Sequence, residues 1–589
     1  MRRFILPAPR SSRRGPSWPI GLGSLVAAGL ALQALPASAQ TSLDQAASQI
    51  TPGAAPALVP PTSQLFDRSR VLLTLRPGET PESLRQEAAR RQQESSTGAM
   101  DTTMAALAAA RSQGDRVMTI SLPSGVQESA NGSAPLAMMP PSGDFAASLS
   151  PEAARIVETL RQMPQVATVE PNGMRFALQQ QDPADAFNQL LGTSQPAAGG
   201  RSQRATPSAG TIDQIIGGGT VRGPIVSGSV PVLPDDPLTP MQWHLFANAP
   251  TQAADRLPGG TGFLAYRSAG PRGTGATGPV VAIIDTGLVA QHQDLARDRI
   301  LPGYDFITLP FVGNDGDGRD ADPTDTGDGN EANACFTGSP PRGNTWHGSH
   351  VAGIAGAVES DNRLGITLPG APVRIMPVRV LGRCGGFDSD IIDAMRWAAG
   401  LPVEGVPANP NPAKVVNMSL GGPGTCATAF QEAVDAVLAA GATIVVAAGN
   451  SAEDAQMASP ASCTGVITVA ASDARGVISP FSNYGPRIDI MAPGGDVRRD
   501  DDRNGRPDGI LSLVSGGYEF KEGTSMAAPL VAAAAALLLS DRPDLAPSGV
   551  RSALIASALP RNDQQCPRGC GAGLLQIPSD PGQISAGRQ

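Results

Sequence analysis

Val281-Ala-Ile-Ile-Asp-Thr-Gly287 ends an apolar run on a carboxylate, and the rest of the chain can be read outward from it. Four apolar residues, three of them β-branched, suit a strand buried on both faces, which holds Asp285 rigidly at its end. Two more blocks follow in order: His347-Gly-Ser-His-Val-Ala-Gly353, a helical stretch of small residues, and Gly523-Thr-Ser-Met-Ala-Ala-Pro529, a turn opening an Ala/Leu helix. Carboxylate, imidazole and hydroxyl are the parts of a nucleophilic hydrolase, in which the acid orients the base and the base deprotonates Ser525.

Rival readings of each block are weaker. An apolar strand before Asp-Thr-Gly also marks aspartic peptidases, whose chemistry needs two carboxylates sharing a proton. The other such tripeptide, Asp325-Thr-Gly327, lies among acidic residues with no apolar strand before it. Gly523-Thr-Ser525-Met-Ala527 departs from the Gly-x-Ser-x-Gly elbow at Ala527, and no Asp and His follow it in the order that fold uses. Asn450 closes Ile444-Val-Val-Ala-Ala-Gly-Asn450, where an amide at a strand end can donate to an oxyanion. The helix opening at Ser525 favours negative charge at the same place. His350, one turn after His347, reads as a structural partner rather than the base.

At 589 residues the chain is long enough for two folded units plus processing segments. Its net charge is −9, and no basic run follows the extreme N-terminus, which argues against a nucleic-acid partner. Residues 1–39 read as a signal peptide: Arg2, Arg3, Arg10, Arg13 and Arg14, then an apolar stretch, then Ala37-Ser-Ala39. The product is expected to be secreted, extracellular or periplasmic in transit, without stable membrane insertion. Residues 40–69 are expected to be disordered. Residues 70–178 alternate strand and helix patterns as a small α+β domain, with strands at 71–75, 117–122 and 166–172 and helices over 81–110 and 151–163. Residues 179–233 read as a linker containing or flanking a maturation site, 234–576 as the catalytic domain and 577–589 as a tail. Within 234–576, apolar runs at 280–284, 375–381, 414–418, 443–448 and 465–471 alternate with helical segments, predicting an α/β fold with a helix-covered parallel sheet.

Three blocks in the order Asp, His, Ser, with Asn450 between the last two, resemble the subtilisin-like serine proteases, or subtilases. The resemblance spans about residues 234–575 and implies a doubly wound, mostly parallel sheet and endopeptidase activity on polypeptides. It implies Asp285, His347 and Ser525 as the triad and Asn450 as oxyanion donor. In Asn417-Met-Ser-Leu-Gly-Gly422 it implies that Ser419, Leu420 and Gly421 pair with an extended peptide. Ala447, Ala448 and Gly449 would form the other wall of an apolar primary specificity pocket, with Ala458 near its floor. Leu530 stands where many members carry a histidine. Residues 71–75 and 166–172 resemble the inhibitory propeptide of the same family. That implies an intramolecular chaperone whose C-terminal segment fills the active site until a cut between about residues 176 and 235.

All six cysteines fall in the second half, and an even count in an exported chain favours disulfides. Fifteen pairings are possible; the sequential one, Cys335–Cys384, Cys426–Cys463 and Cys566–Cys570, is the expectation. Two acidic loops suggest structural Ca²⁺. The first carries Asp315, Asp317 and Asp322. The second matches half of an EF-hand loop through Asp500, Asp502, Asn504 and Gly505, with Asp508 nearby and Leu511 where glutamate would close the site. Asp361-Asn362 resembles a further calcium loop of the family. No His/Cys cluster has zinc spacing.

Overall fold

The computed structural model describes residues 65–94, 98–123, 136–140, 143–178, 234–248, 257–268, 278–336, 338–358, 362–367 and 373–577. The expected signal peptide, most of 40–69, the linker 179–233 and all but the first residue of the tail lie outside the described residues.

The N-terminal module contains β1 (Leu65–Leu75), α1 (Pro81–Glu94), α2 (Gly98–Ala108), β2 (Val117–Ser121), α3 (Pro151–Arg161) and β3 (Val166–Ala177). β1 is central and pairs antiparallel with β2 and β3. Leu73 and Ile120 from the strands pack with Leu84, Leu107, Ile156 and Leu160 from the helices. Local chemistry starts α3 sharply: Ser150 caps it by accepting from Ala153 N, and Pro151 occupies the first turn. Three expectations change. Strand pairing begins at Leu65, not after residue 69, because Leu65 and Phe66 are themselves buried. The helix expected over 81–110 is two helices, α1 and α2. The last strand does not stop at Asn172; it runs on to Ala177, where its partners belong to the large domain.

The large domain is built on seven parallel strands: β4 (Val280–Asp285), β5 (Tyr304–Asp305), β6 (Arg374–Arg379), then, after the short β7 (Gly386–Phe387), β8 (Val415–Met418). Beyond β9 (Leu420–Pro423) come β10 (Thr443–Ala447), the short β11 (Ala458–Ser459), β12 (Ile467–Ser472) and β13 (Ile490–Pro493). Their order in the sheet is β13-β12-β10-β8-β4-β6-β5, every pairing parallel. Period-two alternation serves two cores at once. In β4, Val281 and Ile283 face one core while Val280, Ala282 and Ile284 face the other.

Helices cover both faces. α4 (His347–Ala355) and α7 (Thr524–Asp541) lie on one face; α5 (Asp388–Ala398) and α6 (Thr428–Ala439) lie on the other. α7 has the length and apolarity of a membrane span, yet 89% of its apolar window is buried inside the protein. β13 and a hairpin, β14 (Ile510–Val514) with β15 (Gly517–Lys521), are additions to the expected elements. Three disulfides pair Cys335–Cys384, Cys426–Cys463 and Cys566–Cys570. Ile577, expected in the tail, is 7% exposed and belongs to the core.

Candidate active site

Asp285, His347 and Ser525 arrive from the end of β4 and the first turns of α4 and α7, and all three are buried. Asp285 Oδ1 lies 2.7 Å from His347 Nδ1 and accepts from Thr286 N at 2.7 Å. A carboxylate can only accept here, so Nδ1 carries the proton and Nε2 is left as the basic nitrogen. The close approach of α4 to β4 depends on Gly348, because a Cβ there would sit 2.2 Å from Gly287 O. Gly348 N in turn donates to Thr286 Oγ1 at 2.8 Å.

Ser525 is not hydrogen-bonded to His347. Its hydroxyl donates to Ser419 O at 2.9 Å, while His347 Nε2 has no partner among the described residues. Ser419 is tied to this helix turn in both directions, because its own hydroxyl donates to Ser525 O at 2.9 Å. The second bond has a covalent cause. Pro529 sits four residues after Ser525 inside α7 and has no N–H, so the Ser525 carbonyl lacks its helical donor. Ser419 supplies one from outside the helix.

Leu178 occupies the space in front of Ser525. Its carbonyl oxygen accepts from Asn450 Nδ2 at 2.7 Å and from Ser525 N at 3.3 Å, and its own N–H donates to Ser419 O at 3.2 Å. Upstream of it, β3 is flanked on both sides: Ala177 and Phe176 pair with Leu420 and Gly421 of β9, and Arg175 and Met174 pair with Gly386 and Phe387 of β7. A cavity of about 180 Å³ opens beside Leu178. Gly421, Gly422, Ala447, Gly449 and Ala458 line it, with Glu453 and the half-exposed Met457 also on its wall. Ala448, expected in this wall, is absent from the lining. Its side chain turns to a separate core with Ile488 and Met491, and its carbonyl accepts from Asn483 Nδ2. Ser419 and Leu420 contribute backbone; the Leu420 side chain is fully buried in the core.

His350 is buried and its Nε2 lies 2.9 Å from Glu519 O, with burial holding its imidazole well below the usual value. It is a structural neighbour of the site.

The two acidic loops differ. Asp500, Asp502 and Asp508 bring ligand oxygens within 4.8 Å of one another. Burial, followed by the charges of Asp502, Asp501 and Asp500, pushes the Asp508 carboxyl up to about 7. Converging hard oxygens that raise each other's proton affinity fit a divalent cation such as Ca²⁺. Asn504 does not join them: its amide nitrogen faces Asp502 Oδ2 at 2.7 Å and its oxygen accepts from Arg506 N. Asp315, Asp317 and Asp322, expected as a second ligand set, are not brought together. Asp315 is paired with the buried Arg379, and Asp322 Oδ1 accepts from Thr324 N. Asn362 lies beside Asp294, at 3.3 Å, while Asp361 is outside the described residues.

Several residues of this site were not singled out individually in the sequence, although the C-terminal segment of the N-terminal module was expected to fill it. Thr524 holds Asn450 through two hydrogen bonds to Oδ1, from its N–H at 2.9 Å and its hydroxyl at 2.8 Å. Glu170, Arg175 and Leu178 belong to the N-terminal module, and their partners lie more than two hundred residues away.

Known proteins resemble the chain over this region. Residues 276–573, about half of the chain, match the model of the subtilase family. The chain is 44% identical over 315 residues to an extracellular protease of Xanthomonas campestris, covering 53% of this chain and 52% of that one. It is 41% identical over 350 residues to an extracellular basic protease of Dichelobacter nodosus, covering 58% and 54%. The matched region therefore spans about half the length of these two relatives. It covers 82% of subtilisin DY of Bacillus licheniformis and 47% of this chain, at 33% identity. Among solved structures, a protease from Pseudoalteromonas arctica superposes with a TM-score of 0.53 at 38% identity, covering 60% of this chain and 99% of that one. The chain belongs to the subtilase family.

Proposed function

We propose that this chain is a secreted serine endopeptidase, made as a precursor whose first substrate is its own Leu178–Gln179 bond. One observation carries the reading: the Leu178 carbonyl oxygen lies between Asn450 Nδ2 and Ser525 N, directly before the candidate nucleophile. Two fixed donors on a carbonyl oxygen are placed to stabilise the charge that develops there on attack.

In this mechanism His347 Nε2 takes the Ser525 hydroxyl proton as Oγ bonds to the carbonyl carbon and the carbonyl electrons move to oxygen. Collapse breaks the C–N bond, and the leaving amine takes the proton back from His347. Water then repeats the sequence on the acyl-enzyme, releasing a carboxylate and restoring Ser525. Asp285 keeps Nδ1 protonated and faces the charge of the imidazolium. The Ser525 hydroxyl must first leave Ser419 O and turn its proton to His347 Nε2.

The pairing of β3 with β7 and β9 supports an extended polypeptide as substrate, by strand addition. The same contacts support the N-terminal module as inhibitor and folding partner, since its own chain fills the groove. Secretion is supported by the signal-like N-terminus and by the extracellular naming of the relatives. Asp500, Asp502 and Asp508 would hold Ca²⁺, which would cancel their mutual repulsion and tie down the loop.

The test is Ser525→Ala in the full chain. The variant should accumulate as an uncut precursor that folds, while the wild-type protein shows a cut after Leu178 by intact mass. Maturation of the pure Ser525→Ala protein would remove the nucleophile from the account.

A further inference from the structure

We propose that the subsite for the fourth residue before the scissile bond is acidic and selects arginine, with Asp388 as the specificity-determining residue. The proposal rests on reading Leu178 as the residue before the scissile bond, which makes Ala177, Phe176 and Arg175 the next three.

Arg175 is held as a ligand would be. It is 1% exposed, its Nε donates to Asp388 Oδ1 at 2.6 Å and its Nη2 donates to Asp388 Oδ2 at 2.7 Å. A third donor, Nη1, reaches Pro423 O at 3.4 Å. Two parallel bonds between a planar guanidinium and a carboxylate are geometrically selective in a way that a lysine point charge is not. The backbone explains why the side chain enters. Arg175 pairs with Gly386 of β7 while the next residue, Phe176, pairs with Gly421 of β9, so Arg175 is gripped between two strands of the large domain. Phe176 is only partly buried, so the third position before the scissile bond demands less.

What decides the matter is the state of Asp388 once residues up to 178 depart. Asp388 opens α5 and is 1% exposed. Two other carboxylates of that helix, Asp390 and Asp393, keep a cation from the large domain itself: Arg319 pairs with them at 2.7 and 2.6 Å. Among the described residues the ion-pair partner of Asp388 is Arg175, from the departing segment. Removal takes away the cation paired with Asp388 and opens the carboxylate to the cleft, where a substrate side chain entering the subsite would cover it again and make an unpaired charge costly. A substrate arginine at the same position restores the pair. An apolar side chain leaves the carboxylate enclosed and unpaired, and a glutamate adds a like charge.

The experiment uses matured wild-type enzyme and quenched-fluorescent peptides Xaa-Phe-Ala-Leu followed by a common tail, with Xaa as Arg, Lys, Leu or Glu, and kcat/KM as readout. Arg is expected to exceed Leu by tenfold or more and Glu by a hundredfold, with Lys between Arg and Leu. Asp388→Asn should abolish the advantage of Arg over Leu. If that variant does not mature, the matched pair Arg175→Leu with Asp388→Leu supplies processed enzyme, which should prefer Leu. Equal rates for Arg and Leu, with product masses placing the cut after Leu, would overturn this proposal and leave the endopeptidase reading intact. No cleavage of any peptide, with no shortening of the precursor, would overturn both.

Discussion

Thr524 fixes the amide of Asn450. Its N–H and hydroxyl both donate to Asn450 Oδ1, at 2.9 and 2.8 Å, which leaves Nδ2 facing the Leu178 carbonyl. Asn450→Ala should lower kcat by about 10²–10³, a range that comes from a subtilisin and is carried over to this relative. Thr524→Val keeps the N–H bond and loses the hydroxyl; it should lower kcat by about tenfold with KM little changed, as misorientation rather than loss of a donor. Self-cleavage of purified precursor, followed as a first-order rate, reads the loss of rate in both variants, and peptide hydrolysis by processed protein reads KM.

Ser419 and Pro529 form a second coupled pair. Ser419→Ala should destabilise the fold by about 1–3 kcal/mol, the cost of a buried carbonyl left unpaired at Ser525. Adding Pro529→Ala returns an N–H within reach of that carbonyl, so the double variant should recover part of the loss. Urea denaturation of the four proteins gives the interaction directly, and strict additivity would refute the link.

Glu170 of the N-terminal module accepts from Thr428 N and Ala429 N at 2.9 and 3.1 Å, so its carboxylate caps α6 from outside. The helix has no side-chain cap of its own at Ala427. Glu170→Ala in the Ser525→Ala precursor should cost about 1–2 kcal/mol, from the lost cap and the lost charge at the helix dipole. The expected signature is a lower melting temperature than that of the Ser525→Ala precursor with Glu170 intact; on the proposed maturation, processed protein made with Ser525 in place would lack residue 170 and should melt the same with or without the substitution.

His244 is fully buried, and burial holds its imidazole down at about 3, against an ordinary value of 6.5. Between those values the unfolded chain binds a proton that the native state refuses. Stability is therefore complete above pH 6.5 and falls as the pH drops, by about 1.4 kcal/mol per unit from this residue alone. His244→Gln should flatten the decline between pH 6.5 and 4.5 by about one proton, read from denaturation curves on inhibitor-blocked enzyme. An unchanged slope would contradict the assignment.

Chelation of calcium should lower the melting temperature of the matured enzyme at neutral pH, because Asp500, Asp502 and Asp508 then repel one another. Asp508→Asn should melt at the same temperature with and without chelator. An Asp315→Asn variant should keep the full response, since Asp315 is already neutralised by Arg379.

The legible parts of the fold were those encoded locally. Val280–Asp285 reads as a doubly buried strand from its own residues, and α7 from its Ala/Leu run closed by the chain at Asp541. Short or partner-dependent elements were not legible. Ile490–Pro493 has four residues and a proline, and it is a strand because the neighbouring Ile467–Ser472 offers it a ladder. Asn172 carries a turn signal after Pro171, yet the chain continues extended because β7 and β9 wait on either side. The two acidic loops show the same limit. Asp315 and Asp500 stand in equally acidic runs, and what separates them is a buried arginine sixty-four residues further on.

The sequence by itself determined which chemistry to propose, because strand-ending Asp285, helix-opening His347 and turn-held Ser525 are each marked by their own neighbours. Tertiary structure decided what those groups face: Ser525 turned to Ser419, Leu178 seated between two donors, and Arg175 locked on Asp388. Each of these rests on hydrogen bonds of 2.6 to 3.3 Å between segments more than a hundred residues apart. A contact of that kind depends on where the whole sheet places two backbones, and no local pattern carries that information.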